Sequence, residues 1–233
     1  YAAASASAIG PGTAYLAAQV SQLSGADLAA FLDGLPPLTG VDGWSVIEAM
    51  KGYEKVARWA AAGQVRAVAE IAHRYPDPRA AWARDAEPPT GPTGEPIPPA
   101  AEHVSGPVFD QATMQVALAL DLPRSTAQGL VVDAVSLTTR VPRVLDGLSQ
   151  GQVSARVAHV LAQETMVCSD AETAAAVADH VLSRPGVRTG AQARRAVTDA
   201  VIQAEPSAAE RRERAAVAGR TFRPVKDTTD GMV

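Results

Sequence analysis

Arginine side chains are concentrated in the last third of this chain, where they could bind phosphate groups. Residues 184–226 contain 10 Lys and Arg against 4 Asp and Glu, whereas the whole chain of 233 residues has a net charge of −4. Guanidinium groups match the geometry of phosphate oxygens, and several of them on one surface can follow a nucleic-acid backbone. A solvated helix face with an ion pair from Glu210 to Arg214 would explain the same arginines, so both interpretations stay open. The predicted nucleic-acid-binding residues are Arg188, Arg194, Arg195, Arg211, Arg212, Arg214 and Arg220.

The other reactive side chains do not form a catalytic or metal-binding pattern. Glu70 and His73 have the spacing of half a di-iron site, but the sequence has no second Glu-x-x-His. Cys168 lies nine residues from His159, and no nearby base or electropositive segment would activate its thiol. Phosphate-binding loops, dinucleotide-binding turns and nucleophilic serine elbows are absent from the sequence. We therefore expect no catalytic residue, metal, cofactor or small-molecule substrate on this chain.

The elements that must position the arginines are predicted to be helices. Hydrophobic residues make up 47% of the chain and aromatic residues only 4%, so the core should form between closely approaching helices rich in Ala and Val. This composition predicts an all-α fold. No apolar run reaches the roughly 18 residues of a membrane span, and the first residues lack the pattern of a secretory signal, which predicts a cytoplasmic protein. The single Cys168 excludes an internal disulfide.

A long helix is predicted from Trp44 to the residue before Pro76. Its apolar residues recur at alternating steps of three and four, as in a coiled-coil heptad, and a second apolar face adds to them. We therefore expect this helix to be buried on two sides, as the spine of a bundle or of a homodimer. The repeating positions are Met50, Tyr53, Ala57, Ala60, Gln64, Ala67, Ile71 and Tyr75, and the second face contains Val56, Trp59, Val65 and Val68.

Proline, glycine and capping residues divide the chain into units. Seven of the 17 prolines fall in residues 88–107, which predicts a linker or surface loop. Thr221 to Val225 resembles a strand and an Asp-Gly turn signal follows it, so a β-hairpin should begin there in a truncated chain. Capping boxes mark three helix starts: Ser169 with Glu172, Thr189 with Gln192, and Ser207 with Glu210. The predicted units are 1–43 with short helices, 44–87 with the long helix, 88–107 as the linker, 108–220 as a helical domain, and 221–233 as the start of the hairpin.

A helix-turn-helix pair is predicted at Phe109 to Ala119 and Arg124 to Leu137. Its buried stripe should contain Ala127, Leu130, Val131, Ala134 and Leu137. The opposite face offers Arg124 alone at its start, with Asp133 nearby, whereas a DNA reader needs several donors there. We therefore favour a structural helix pair over a DNA reader, and the valines on that face suggest a protein neighbour. The residues of that face are Ser125, Gln128, Val132, Val135 and Thr139.

Several short motifs occur here in the order found in a known family. A Leu-Pro turn is followed by Leu-x-x-Leu-x-x-Gly, Thr-Gly-x-x-x-Arg, Glu-Pro, an arginine-rich helix and Asp-Gly-Met. The arginine-rich helix contains Arg211, Arg212 and Arg214, and the other five motifs start at Leu122, Leu145, Thr189, Glu205 and Asp230. Over roughly residues 40–233 the chain resembles the family named domain of unknown function 222, also called the 13E12 repeat family. The resemblance implies a helical region that precedes a C-terminal His-Asn-His (HNH) nuclease domain in proteins associated with mobile DNA.

Two departures from the family limit what the resemblance implies. Relatives place a Ser before the proline of the turn, where this chain has Leu122, so the second helix loses a side-chain cap. An HNH domain needs an asparagine and a histidine cluster to hold a divalent metal, and this chain contains no asparagine. We therefore expect an accessory helical domain that positions DNA, or mediates homo-oligomerisation, for a nuclease domain absent from this chain. The alternative is a non-enzymatic oligomerisation or regulatory module, in which the long helix and an exposed face at Val132 and Val135 form a homodimer or bind a partner.

Overall fold

The computed structural model describes residues 11–75, 110–184 and 189–206, and over these residues the protein is all-α. The predicted linker at 88–107, the capping box at Ser207 and the hairpin at 221–233 lie outside the described residues. None of the described helices is both long enough and apolar enough to cross a lipid bilayer. The helices of the described residues are α1 (Pro11–Gln22), α2 (Gly25–Asp33), α3 (Gly43–Arg74), α4 (Asp110–Leu120), α5 (Arg124–Thr139), α6 (Pro142–Ser149), α7 (Ala155–Glu164), α8 (Ala171–Ser183) and α9 (Gly190–Ala204).

The long helix α3 begins at an aspartate cap and ends just before a proline in the sequence. The Asp42 carboxylate accepts hydrogen bonds from the backbone N–H groups of Trp44 (3.0 Å) and Ser45 (3.1 Å), which satisfies donors that have no partner inside the helix. The Thr13 hydroxyl of α1 hydrogen-bonds the Ser45 hydroxyl at 2.7 Å, so the same cap ties α1 to α3. The helix is 32 residues long and ends at Arg74, which confirms the predicted long helix.

The buried side of α3 is not the predicted heptad stripe. Met50 is 63% exposed and Tyr53 is 50% exposed, and the stripe stays exposed as far as Ala67. At Gly52, by contrast, a Cβ atom would lie only 3.0 Å from a methyl carbon of Leu32, so α2 packs directly on the helix backbone. The described helices of a single chain therefore do not cover the heptad stripe, because periodicity finds an apolar face without showing that a neighbour covers it. Burial of this stripe in a homodimer stays a prediction. The buried residues of α3 are Ser45, Ala49, Gly52, Ala62, Val68 and Ala72.

Three hydrophobic clusters lie along α3 and make it the spine of the bundle. The first cluster contains Leu28 and Leu32 and joins α1 and α2 to the N-terminal half of α3. The second contains Val68 and Val131 and joins α4 and α5 to its C-terminal half. The third and largest cluster joins α6, α7, α8 and α9, and Ala62 connects it to α3. Because most of these contacts are Ala and Val side chains, the helices approach closely, as the composition predicts.

The helices α4 and α5 form the predicted pair with a tight turn between them. Asp121 in the turn has a left-handed φ of 52°, a conformation that Asp adopts more readily than most side chains. No side chain caps the start of α5 after Pro123, as expected with Leu122 in place of serine. Four residues of the predicted stripe are buried, and Leu130 is half-buried.

Two of the three predicted capping boxes lie in the described residues, and one of them is wrong. Thr189 and Gln192 form both hydrogen bonds of a capping box at the start of α9, which confirms that prediction. At the start of α8 the cap is Asp170, whose side chain accepts a hydrogen bond from the Thr173 N–H at 2.7 Å. Ser169 instead donates its hydroxyl to the Asp170 carboxylate. Aspartate caps a helix as well as serine does, so the helix starts one residue later than the Ser169 pattern predicts.

Candidate nucleic-acid interface

The predicted phosphate-binding arginines that the structure describes lie on α9. Arg194 and Arg195 follow the capped first turn of this helix, and both side chains are exposed. Consecutive helical residues differ by about 100° around the axis, so the two side chains leave the helix in different directions. The other predicted residues lie outside the described residues: Arg188, Arg211, Arg212, Arg214 and Arg220.

Arg194 forms an ion pair with α7. Its Nε donates to the Glu164 carboxylate at 2.9 Å, and the Arg194 side chain is 56% exposed while that of Glu164 is 18% exposed. The pair holds the guanidinium at the α7–α9 contact and compensates its charge locally. An exposed pair of this kind stabilises a fold little, so its main effect here is to orient Arg194. The Arg194 guanidinium is therefore already engaged by a carboxylate of the described residues.

Arg195 is exposed and pairs with no carboxylate of the described residues. Asp199 lies one turn further along α9 and is exposed too, but the two side chains do not form an ion pair. A guanidinium in water with no carboxylate partner keeps its donors for an incoming anion. Of the predicted arginines that are described, Arg195 is the one best able to bind phosphate.

A further arginine, Arg156, lies beside the start of α9 and was not among the arginines predicted from the sequence. This residue is exposed in the first turn of α7, and a Cβ atom at Gly190 would lie 2.9 Å from its Cγ and 3.2 Å from its Nε. The Arg156 side chain therefore lies against the first residue of α9, one helical turn before Arg194. No charge cluster surrounds Arg156 in the sequence, so only the packing of α7 beside α9 could identify it.

The helix pair α4 and α5 is unsuited to reading a DNA groove. Helix α5 packs against α3, α4, α6 and α7, which leaves little of its surface free. Ser125 and Gln128 are exposed as predicted, but Val132 is half-buried and Val135 packs against the second cluster. The prediction of an exposed valine face is therefore wrong, because neighbouring helices cover α5 on more sides than its own sequence indicates.

A polar cluster between α5 and α7 was also missed from the sequence. Asp133, placed on the outer face by helical periodicity, is only 8% exposed. Its carboxylate lies 2.5 Å from His159 Nδ1 and accepts a hydrogen bond from the Gln163 side-chain amide. The cluster fixes the orientation of His159, whose side chain is 42% exposed. Since His159 is held by Asp133 and Cys168 is buried in the largest core cluster, the two do not form an accessible catalytic pair.

A cleft of about 1010 Å³ lies between α3, α6, the start of α7 and α8. Its lining includes Arg58 and Arg143, but both cations already have partners. Arg143 pairs with Asp179 at 2.7 Å, and Arg58 donates to the backbone carbonyl of Gly151 at 2.9 Å. Within the described part of the chain, no group of three or more His, Cys, Asp or Glu side chains could hold a metal ion. Both arginines that line the cleft are therefore already engaged within the described part of the chain.

Comparison of the chain with known protein families, with curated proteins and with solved structures found no match. The assignment to the family named domain of unknown function 222 therefore stays a prediction from the sequence motifs.

Proposed function

We propose that this chain is an accessory helical domain of an HNH-type nuclease and that it positions DNA for a nuclease domain not found among its 233 residues. The observation that carries the proposal is the Arg156 side chain lying against Gly190 at the start of α9. It brings a cation from a distant part of the sequence to the helix that carries Arg194 and Arg195. We propose a cytoplasmic location as part of the same function.

The charge distribution of the chain supports binding to a phosphate backbone. Residues 184–226 carry 10 basic against 4 acidic side chains, and α9 is part of that segment. Arg156 lies outside this segment in sequence but beside it in space. Phosphate contacts of this kind position a duplex without reading its bases. The proposed role is therefore to hold DNA in place, with any sequence preference arising elsewhere.

The test is binding of the 233-residue chain to a fluorescent DNA duplex, measured by anisotropy over a series of salt concentrations. Contact with four or five phosphates predicts a slope of about −4 in a plot of log affinity against log salt. Arg156→Ala and Arg195→Ala should each weaken binding and reduce the steepness of that slope by about 1.

Arg66→Ala is the matched control, because Arg66 is exposed on α3 and forms no ion pair with a described carboxylate. We expect this variant to bind like the unmodified chain. The proposal is wrong if the chain does not bind duplex DNA at low salt, or if Arg66→Ala weakens binding as much as Arg195→Ala.

The alternative function is a non-enzymatic oligomerisation or regulatory module. The Val132 and Val135 face no longer supports it, because these side chains are half-buried within the bundle. The exposed stripe of α3 does support self-association, and its geometry allows a more specific proposal.

A further inference from the structure

The exposed stripe of α3 has the spacing and composition of a coiled-coil contact surface. From Val46 to Ile71 its residues are separated by alternating steps of four and three, and none of them is charged. All are exposed except Ile71, which is half-buried. Heptad spacing keeps a contact line facing a partner helix over several turns. We call this set the α3 seam: Val46, Met50, Tyr53, Ala57, Ala60, Gln64, Ala67 and Ile71.

Most of the α3 seam is uncovered because the described neighbours of α3 pack on other sides of it. Only the Tyr53 hydroxyl, which donates to the Leu32 carbonyl at 3.2 Å, and Ile71, which packs against the second cluster, contact the described neighbours. In the N-terminal half, Gly52 faces α1 and α2, and in the C-terminal half, Val68 faces α4 and α5. At about 100° per residue, these two buried positions are roughly 160° apart around the helix axis. The seam lies between them along the whole contact length, so two different groups of helices leave the same strip of α3 open.

The order of large and small residues in the seam fits an antiparallel copy of itself. When two α3 helices are aligned antiparallel about a two-fold axis between Arg58 and Trp59, Met50 lies opposite Ala67 of the second copy. Tyr53 then lies opposite Gln64 of the second copy. The same alignment places Ala57 opposite Ala60, and Val46 opposite Ile71. Met50 and Tyr53 therefore each meet a smaller or more flexible side chain, and the alanines at the centre allow the backbones to approach closely.

A parallel arrangement would pack less evenly. It would place Met50 on Met50 and Tyr53 on Tyr53 at one end, and Ala67 on Ala67 near the other. Helix axes lie about 8 to 10 Å apart depending on the side chains at the contact. The bulky layers would hold two parallel helices apart at one end, while the alanine layers need a short distance at the other. The antiparallel order removes this conflict.

We propose that the α3 seam is a homodimer interface at which two copies of this chain pack their long helices antiparallel across a two-fold axis near Arg58 and Trp59. Such an interface is isologous, since each seam contacts the same surface on the other copy. The proposal does not depend on DNA binding, and it can hold whether or not the arginines of α7 and α9 contact phosphate.

Sedimentation velocity of the 233-residue chain from about 1 to 100 μM tests the dimer, because a modest interface dissociates in this range. We expect the unmodified chain to dimerise. Ala57→Glu should raise the dissociation constant at least about tenfold, since it buries a carboxylate in an apolar contact without a partner. Ala60→Lys should do the same. Both residues are exposed in the single chain, so circular dichroism should show unchanged helix content.

The double variant Ala57→Glu with Ala60→Lys tests the orientation. In the antiparallel dimer each glutamate faces a lysine of the second copy, so dimerisation should recover. In a parallel dimer each new glutamate would face the same glutamate of the second chain, and each new lysine the same lysine. These like charges would repel, and the double variant would stay monomeric. Recovery therefore supports the proposed geometry, and failure to recover overturns it.

Two control variants separate the seam from other surfaces. Ala176→Glu places the same charge on an exposed position of α8 and should leave the dimer unchanged. Leu118→Glu changes the most exposed large hydrophobic residue of the described chain, on α4, with 77% of its area accessible. The proposal is overturned if the chain is monomeric throughout the concentration range, or if Leu118→Glu dissociates a dimer that Ala57→Glu leaves intact.

Discussion

Removing the Asp133 carboxylate should destabilise the contact between α5 and α7. Asp133 is 8% exposed, and its carboxylate lies 2.5 Å from His159 Nδ1 and accepts a hydrogen bond from Gln163. In Asp133→Ala both of these interactions disappear, while the backbone of α5 keeps a residue that favours helix. The decrease in the free energy of unfolding should therefore reflect the polar cluster and not a weaker helix.

The magnitude follows from the two interactions and the exposure of their donors. Hydrogen bonds to a charged group contribute about 1.5 to 3 kcal/mol each. The lower end applies here because His159 is 42% exposed and Gln163 is half-buried, so both can bind water after the change. The variant also avoids the cost of burying a carboxylate, which offsets about 1 kcal/mol. We expect a net loss of about 2 kcal/mol in the free energy of unfolding, or a melting temperature lower by about 4 to 8 °C for a chain of this length.

Thermal unfolding followed by circular dichroism measures this change. Asp133→Asn keeps an oxygen that can accept from Gln163, so its melting temperature should fall between those of the unmodified chain and of Asp133→Ala. Asp199→Ala is the control, because Asp199 is exposed on α9 and forms no ion pair with a described residue. Surface changes of this kind stay within about 0.5 kcal/mol. If Asp133→Ala melts at the same temperature as Asp199→Ala, the Asp133 cluster does not stabilise the bundle and the prediction is wrong.

Two further predictions concern the packing and the capping of the helices. Gly52→Val should lower the free energy of unfolding by about 1 to 3 kcal/mol, because its Cβ would lie 3.0 Å from Leu32. Gly63→Val is the control and should change that free energy little, because a Cβ at Gly63 would have nothing within 4 Å. Chemical denaturation measures both variants, and equal losses would contradict the close packing of α2 on α3. Acid should destabilise the protein through its aspartate caps. Hydrogen bonds from the Ser45 side chain and backbone lower the pKa of Asp42, and a hydrogen bond from the Thr173 backbone lowers that of Asp170. A carboxyl whose pKa is lower in the folded state stabilises the protein above its unfolded pKa of about 4, and this contribution is lost as the pH falls through the folded value. Replacing both caps with Asn should therefore flatten the fall in melting temperature below about pH 5, and an unchanged acid dependence would show that other groups cause it.

The sequence predicts the local structure of this chain well, because helix starts and ends depend on neighbouring residues. The apolar repeat after Trp44 and the proline at position 76 predict the long helix, observed as α3. Thr189 and Gln192 predict the start of α9 by a hydrogen-bond pattern within four residues. The one wrong prediction among the capping boxes in the described residues is Ser169, since Asp170 caps α8 instead. This error moves the predicted start of α8 by one residue and leaves the rest of the helix unchanged.

The sequence could not decide which helix faces are covered, since covering helices come from distant parts of the chain. Apolar residues repeat with helical spacing both in the exposed seam around Met50 and in the buried stripe around Val131. The spacing alone therefore does not distinguish an exposed face from a buried one. Asp133 and Arg156 show the same limit. Asp133 is buried because α7 packs on α5. Arg156 lies at the start of α9 because α7 runs beside α9.

What the sequence determined by itself is an all-α chain with one long helix, a turn at Leu122-Pro123 and a basic last third. These features follow from composition, capping and charge, which act over a few residues. Only the tertiary structure decided that Arg194 is paired with Glu164, that Arg156 joins α9, and that the seam of α3 stays open. Ion pairs and burial depend on distances between residues far apart in the chain, and packing alone fixes those distances.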